Sequence, residues 1–423
     1  MALDACARRD YERFHDLAWR AVQTGPPRDP QLLYLVARAQ SLSGRLDDAM
    51  AMLRRIMQMG VATDAATSDD FEAVRKQPEW PAMKAEILLL VALTPPARLP
   101  MSGAVLAAHS TPHPALNPAL STLHTAPAIA LPLARPLLVS ETALRLPATL
   151  IAPMGLAYDH VSGRFLLADR ETRKLVSVDE LSRHMVDLVE AGSAGFFGIT
   201  AFEIDPRRGD LWVVSATDEA TDHDKATALH KLQLVSGRPL ATFTWPDQFG
   251  PARFTDVAIS ASGVVYVLDA EGQRIFRLRP RSRALTLACP LRLDQPASLA
   301  PVNDRTVFVA FAGGLARVDM TSGRAVMVQG PKNAPVSGLE RIRWDAGRLV
   351  ATERPPGGTS RVVTMRLAGT PPRVISVDTL DAGGPAAYAT ATALSGKDIY
   401  FLTREPGRDG QDGEFVVRRT RVQ

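Results

Sequence analysis

Residues Val264–Leu278, VVYVLDAEGQRIFRL, contain two short apolar segments on either side of the turn Asp269–Gly272. β-Branched and aromatic residues dominate both segments, which is typical of strands, and Gly272 supplies the backbone freedom of a tight turn. Variants of this hairpin recur from about residue 151 to the C-terminus, with four strand-like segments per repeat and a repeat length of roughly 40–55 residues. Repeats of this kind predict a β-propeller, in which four-stranded blades surround a central channel.

Six repeats align on this hairpin, and they span 155–189, 200–244, 256–289, 298–329, 340–377 and 388–422. The last repeat has only three strand-like segments, so the ring would leave one strand edge unpaired. The β-prone segment Leu137–Ala143 lies just before the first repeat. We expect it to be the outer strand of the last blade, so that residues 137–423 form a six-bladed β-propeller closed by an N-terminal strand.

Residues 1–93 are predicted to form a separate helical domain. Apolar residues recur at three- and four-residue spacing over 2–23, 29–43, 46–59 and 71–91. The succession of an Asp-Pro helix start, a Gly turn and a second helix resembles a tetratricopeptide repeat, although only about one and a half units are present. Two roles remain open for these helices: a groove that docks a protein partner, or a cap packed on the propeller. The fold class is thus a multidomain chain, helical and then all-β.

Residues 94–136 are rich in Pro and Ala and are predicted to be an interdomain linker. Its histidines, His109, His113 and His124, have neither carboxylates nor helical spacing around them, so we do not expect a metal site there. The acidic segment Asp218–Asp224 lacks the Gly and the spaced carboxylates of a calcium loop, and we interpret it as a solvated loop.

The bulk composition excludes some classes of partner. The chain has 423 residues and a net charge of only +4, without a Lys/Arg block, so nucleic acid is not an expected partner. No apolar run approaches about 18 residues, so no membrane span is expected. Met1–Asp10 has no signal-peptide pattern, which predicts a cytoplasmic protein, or a periplasmic or secreted one if the true start lies upstream. Cys6 and Cys289 are interpreted as isolated thiols.

The repeats are similar to a known family. Val265–Ile275 resembles the NHL-type propeller repeat. Gly155–Asp159 with Gly163–Phe165, and Arg253–Asp256, resemble the regucalcin/gluconolactonase-like family. The resemblance implies a central divalent metal, held by one Glu, two Asn-type residues and one Asp near the starts of inner strands, and hydrolysis of a sugar lactone. Oxygen ligands of this kind suit Ca²⁺, Mg²⁺ or Mn²⁺.

The positions that match this metal site lack metal ligands. They are Met154, Thr255, Ala297 and Ser337, none of which is a carboxylate or an amide. We therefore expect the hydrolytic centre of the family to be absent, with no cofactor; the alternative is Ca²⁺ or another divalent metal in the central channel. Asp256 and Glu340 are the charged residues left near the mouth of the channel. They are candidates for binding a metal or ligand, and the alternative is that they are solvated or turn-capping carboxylates.

The sequence contains none of the nucleophile-elbow, zinc-protease, phosphate-loop or dinucleotide motifs. We accordingly predict a propeller binding or scaffold protein of unknown ligand, without metal-dependent lactonase activity. The ligand would be a small molecule at the propeller mouth or a protein partner on the helical domain. The alternative is a divergent metal-dependent lactone or ester hydrolase, whose support is fold resemblance alone.

Overall fold

The computed structural model describes residues 1–26, 28–93, 140–149, 151–169, 172–217, 226–245, 247–331, 336–354, 360–381, 388–396, 398–405 and 413–421. The predicted linker 94–136 and the acidic segment 218–224 lie outside the described residues.

The N-terminal domain is helical, as predicted. Its helices α1–α5 are Ala2–Ala7, Tyr11–Thr24, Pro30–Leu42, Leu46–Gln58 and Trp80–Leu93, with two 3₁₀ turns, Asp69–Phe71 and Val74–Lys76, between the last two. The carboxylate of Asp29 accepts hydrogen bonds from the backbone of Gln31 and Leu32, and Pro30 occupies the first turn of α3. This is the start that the Asp-Pro pair predicts, because the cap satisfies backbone donors and proline needs none. The tetratricopeptide likeness of these helices stays a prediction.

The described strands form six four-stranded antiparallel sheets, which confirms the six-bladed propeller. Strands β1–β12 are Glu141–Pro147, Ala157–Asp159, Arg164–Asp169, Lys174–Asp179, Met185–Val189, Gly198–Asp205, Asp210–Ala216, Thr227–Gln233, Pro239–Phe243, Phe254–Ile259, Val265–Asp269 and Arg274–Leu278. Strands β13–β24 are Thr286–Pro290, Ser298–Pro301, Thr306–Phe311, Gly314–Asp319, Ala325–Met327, Leu339–Asp345, Arg348–Glu353, Arg361–Ala368, Arg373–Asp381, Tyr388–Ser395, Asp398–Glu405 and Glu414–Arg421. The inner strands of blades one to six are β2, β6, β10, β14, β18 and β22.

The hairpin Val264–Leu278 forms β11 and β12 of the third blade. Asp269 caps its turn, because its carboxylate accepts hydrogen bonds from Gly272 N (3.0 Å) and Arg274 Nε (2.7 Å). Tyr266 and Phe276 are buried between blades. The hairpin therefore combines a locally determined turn with a core that only the neighbouring blades complete.

An N-terminal strand is the outer strand of the sixth blade. Strand β1 pairs antiparallel with β24, from Glu141 opposite Arg419 to Pro147 opposite Glu414. The strand begins four residues downstream of the predicted 137–143. The shift follows from burial, since Leu144 and Leu146 pack into the core between the last and first blades.

Four inner strands contain a β-bulge near their start. In the third blade Phe254 faces Asp269 and Asp256 faces Leu268, so Thr255 is the extra residue. In the fifth blade Leu339 faces Glu353 and Arg341 faces Thr352, which makes Glu340 the extra residue. Strands β6 and β22 have the same irregularity. A bulge shifts the side-chain alternation by one residue and thereby decides which side chains point into the channel.

Candidate functional site

Asp256, a predicted site residue, lies buried on the inner strand β10 and is paired with two arginines. Its carboxylate is 3.3 Å from Nη2 of Arg341 and from both Nη atoms of Arg343. It also accepts hydrogen bonds from Ser298 Oγ (2.5 Å) and from the backbone N–H of Leu299 (3.0 Å). All the oxygen lone pairs that could serve a ligand are thus engaged by the protein.

Arg343 reaches from the fifth blade to two other blades. Its Nε is 2.7 Å from Glu203 Oε2 on β6, while its Nη atoms contact Asp256 on β10. The guanidinium therefore crosses the channel and links the second, third and fifth blades. Ser298 connects the fourth blade to the fifth, because its hydroxyl oxygen accepts a hydrogen bond from the backbone N–H of Ile342 (3.1 Å). We call Glu203, Asp256, Arg341 and Arg343 the channel cluster; it contains two negative and two positive side chains.

The environment of the channel cluster shifts several pKa values. Burial alone would raise the pKa of Asp256, but the guanidiniums of Arg343 and Arg341 outweigh it and hold the pKa below its ordinary value. Burial raises the pKa of Glu203, and the two arginines offset that shift only in part. Burial opposes the charge of Arg343 as well, yet Asp256 and Glu203 together raise its pKa. The charges compensate one another, as a buried ion network requires.

Glu340, the second predicted site residue, is not part of this cluster. It is the bulge residue of β18, its side chain is 41% exposed, and Oε1 is 3.1 Å from Arg354 Nε. Asp256 is buried and paired with two arginines, so it is neither a solvated nor a turn-capping carboxylate. Glu340 is a partly exposed carboxylate near the start of its strand. The contacts of the described residues do not join the two.

Strand pairing changes one of the predicted equivalences between blades. Met154, Thr255 and Ala297 occupy the same position in the first, third and fourth blades, judged by their partners on the second strands. In the fifth blade the same position is held by Glu340 rather than Ser337, because Glu340 lies between Leu339, which faces Glu353, and Arg341, which faces Thr352. One carboxylate at this level does not make a metal site. Among the described residues, no group of three or more His, Cys, Asp or Glu side chains is arranged to hold a metal ion.

The helical domain packs on the opposite face of the propeller from these positions. Inner strands begin at the mouth face, where Thr255 and Glu340 lie, and end at the turn face, where hairpins lead to the second strands. Trp19 Nε1 donates to Pro206 O (2.8 Å) and Arg28 Nη2 to Gly163 O (2.9 Å), both in turn-face hairpins. Further contacts join Arg55 to Asp179 and Asp48 to Ser236. The helices thus leave the mouth face to the propeller loops.

One buried pair, Ser215 and His230, has the spacing of a nucleophile and a base. Ser215 Oγ lies 2.9 Å from His230 Nε2, and His230 Nδ1 lies 3.2 Å from Thr242 Oγ1. Burial lowers the pKa of His230 to about 4, so the ring is neutral at pH 7. The third group is a hydroxyl instead of the usual carboxylate, and Ser215 is completely buried. The two side chains therefore form part of the packed interior of the second blade. Sequence reasoning missed this pair, since no nucleophile motif surrounds Ser215.

Comparisons with known proteins do not assign a family to this chain. No protein-family model matches the chain, and no curated protein matches it. Among solved structures, the allergen Mala s 1 of Malassezia sympodialis is 14% identical, with a TM-score of 0.49 over 67% of this chain and 96% of that one. Virginiamycin B lyase of Staphylococcus aureus is 14% identical (TM-score 0.44; 66% and 88% covered). A candidate gluconolactonase is 12% identical (TM-score 0.46; 66% and 91% covered).

Sheet topology and the channel cluster define the class of protein: a six-bladed β-propeller, preceded by a helical domain and carrying two arginines in its channel. No helix within the described ranges is long and apolar enough to cross a membrane.

Proposed function

We propose that this chain is a binding or scaffold propeller and not a metal-dependent lactonase. The observation that carries the proposal is the position of Arg343, whose guanidinium joins Glu203 and Asp256 across the channel. The guanidinium of Arg343 neutralises Glu203 and Asp256, so these carboxylates are not free to bind a central divalent metal.

Electrostatics supports this proposal. A divalent cation about 5 Å from one guanidinium would meet a repulsion of roughly 6–7 kcal/mol at an effective dielectric constant of about 20, which cancels the attraction of one carboxylate at the same distance. Arg341 adds a second positive charge beside Asp256. A metal could bind only if both side chains moved away, which would leave buried carboxylates to be compensated anew. The donor set of the described residues therefore does not fit a lactonase metal.

The mouth face is where a small-molecule ligand would bind. Glu340 is exposed there beside Arg354, and Thr255 Oγ1 is buried without a hydrogen-bond partner among the described residues. These groups could orient a polar ligand without a metal. Because the helical domain packs on the turn face, it does not cover them.

The proposal is tested by metal analysis together with an activity assay. The purified full-length protein should contain no stoichiometric metal, should give no calorimetric signal for one-to-one binding of Ca²⁺, Mn²⁺ or Zn²⁺, and should not accelerate hydrolysis of a sugar lactone when these ions are added. Stoichiometric binding that is lost in Asp256→Asn or Glu340→Gln but kept in Asp345→Asn would overturn it. Asp345 is the matched control, since it lies at the far end of β18 and pairs with Arg348. That result together with metal-dependent turnover would establish the alternative hydrolase.

A further inference from the structure

A large cleft lies beside the contact between the helical domain and the propeller, and residues of the second and third blades line it. Its volume is about 960 Å³. Helix α2 contributes His15, Trp19 and Arg20 to one wall, and the turn after β12 contributes Arg279 and Arg281 to the other. The cleft opens at the turn face, so it is separate from the channel mouth, and its chemistry does not depend on the function proposed above.

The cleft is strongly positive. Eight Arg and Lys side chains line it, against three Asp. The whole chain has a net charge of only +4, so this local excess of cations is large for the protein. The cations are Arg20, Arg45, Arg207, Arg208, Lys231, Arg238, Arg279 and Arg281.

Five of these cations are already paired with carboxylates. The pairs are Arg45 with Glu12, Arg207 and Arg208 with Asp205, Lys231 with Asp210, and Arg238 with Asp48. The other three, Arg20, Arg279 and Arg281, are exposed and form no ion pair within the described part of the chain. Asp16 on α2 is the one carboxylate of the lining that forms no ion pair with Arg or Lys within the described residues, so these three cations still outnumber it.

The wall of the cleft also contains donors that lack acceptors. Gln23 Nε2 and Trp212 Nε1 are buried donors without a hydrogen-bond partner among the described residues, and His15 Nε2, a donor or an acceptor according to its tautomer, also has none there. His15 and Trp212 are more than nine-tenths buried, and all three residues line the cleft. Trp212 Nε1 can only donate, as can the amide nitrogen of Gln23. A small rotation of these side chains toward a bound ligand would give them acceptors. The unpartnered donors call for acceptor oxygens, and the unpaired arginines call for negative charge on the ligand.

We propose that this cleft binds a small molecule that carries two or more oxyanion groups, either phosphates or carboxylates. Guanidinium groups recognise both through paired N–H···O bonds. The volume lies in the range of small-ligand pockets. The ligand bridges Arg20 on the helical domain with Arg279 and Arg281 on the propeller, so it also removes the repulsion between the two walls. Binding therefore strengthens the contact between the domains.

Calorimetric titration of the full-length protein with pyrophosphate and, separately, with citrate tests the proposal and distinguishes phosphate from carboxylate ligands. Saturable one-to-one binding of at least one of them is expected, with a raised unfolding temperature. Arg20→Gln, Arg279→Gln and Arg281→Gln should each weaken binding about tenfold, the loss typical of one charged hydrogen bond, and the triple variant at least a hundredfold.

Matched controls come from the same elements. Arg13 lies on α2 and Arg283 in the turn after β12; both are exposed and neither lines the cleft. Arg13→Gln and Arg283→Gln should change the affinity less than twofold. The proposal is overturned if neither anion binds, if the triple variant binds as well as wild type, or if the controls weaken binding equally, since that result would mean non-specific attraction. Tighter binding of a single-stranded oligonucleotide that the same triple variant abolishes would also overturn it.

Discussion

Replacing Arg343 by Met tests whether the guanidinium compensates the buried carboxylates of the channel cluster. Methionine keeps much of the side-chain volume and removes the charge. The Asp256 side chain is only 1% exposed and Glu203 29% exposed, so neither carboxylate can recover full hydration. The variant should therefore fold into the same propeller with lower stability.

The expected loss of unfolding free energy depends on the interactions that Asp256 keeps in the variant. Removing one partner of a buried ion pair costs about 3–5 kcal/mol. Asp256 retains Arg341, the hydroxyl of Ser298 and the backbone N–H of Leu299. We therefore expect the lower end, about 3 kcal/mol at pH 7. In the background of Asp256→Asn the same replacement should cost at least about 1.5 kcal/mol less, because the neutral amide needs the cation less.

The loss should also depend on pH. Asp256 has a lowered pKa in the folded protein, so its contribution to stability is present above its unfolded pKa of 3.8 and disappears as the pH falls through the folded value. Loss of Arg343 raises that folded pKa. The difference in unfolding free energy between wild type and variant should thus be largest near pH 7 and should shrink toward pH 4.

Urea unfolding followed by circular dichroism and tryptophan fluorescence at pH 7, 5.5 and 4 measures both quantities. Arg421→Met is the control: its side chain is 71% exposed and pairs with Asp398 at 3.1 Å, and such pairs contribute about 0–1 kcal/mol. A loss below about 1 kcal/mol for Arg343→Met, or an equal loss at pH 7 and pH 4, would refute the role assigned to the guanidinium.

Three further outcomes are expected. Gly209→Ala should lower the unfolding temperature and loosen the contact of the helical domain. Gly209 has φ +67°, and an added Cβ would lie 2.6 Å from the Trp19 ring. Gly60→Ala is the control for backbone strain alone, because Gly60 has φ +74° and open space around it. Burial raises the pKa of Asp210 to about 6, above its unfolded 3.8, so stability should fall as pH rises between these values, and Asp210→Asn should flatten that slope in thermal melts. Burial raises the pKa of Cys289 to about 11, so Ellman's reagent at pH 8 should label it more slowly than Cys6, with the slow phase absent in Cys289→Ser; equal rates would contradict this.

Strand positions in the propeller were predictable because each repeat carries its own local signals. Apolar segments of strand length, turn residues such as Asp269 and the glycines between them determine the hairpins. The sixth repeat shows how far this reasoning extends. Its missing fourth strand predicted an added strand from upstream, but the register of β1 depends on where Leu144 and Leu146 are buried, which the local sequence does not determine.

The candidate site was less predictable. Asp256 and Glu340 were singled out as charged residues near the starts of inner strands, and the bulges then separate them: Asp256 turns into the channel and Glu340 stays partly exposed. The equivalence of Ser337 with the other blades could not be checked from spacing alone, because only the strand pairing shows that Glu340 lies at that level. The ion pair between Asp256 and Arg343 joins residues 87 positions apart, and neither segment contains a signal that predicts its partner.

The sequence alone therefore determined the repeat, the number of blades and the helical nature of the N-terminal segment, because these follow from local propensity. Only the tertiary structure decided which side chains meet in the channel and that the helices pack on the turn face, where they form a basic cleft with the second and third blades. The physical reason is that ring closure brings side chains from distant blades within a few ångströms, and their charges are compensated or left uncompensated only there.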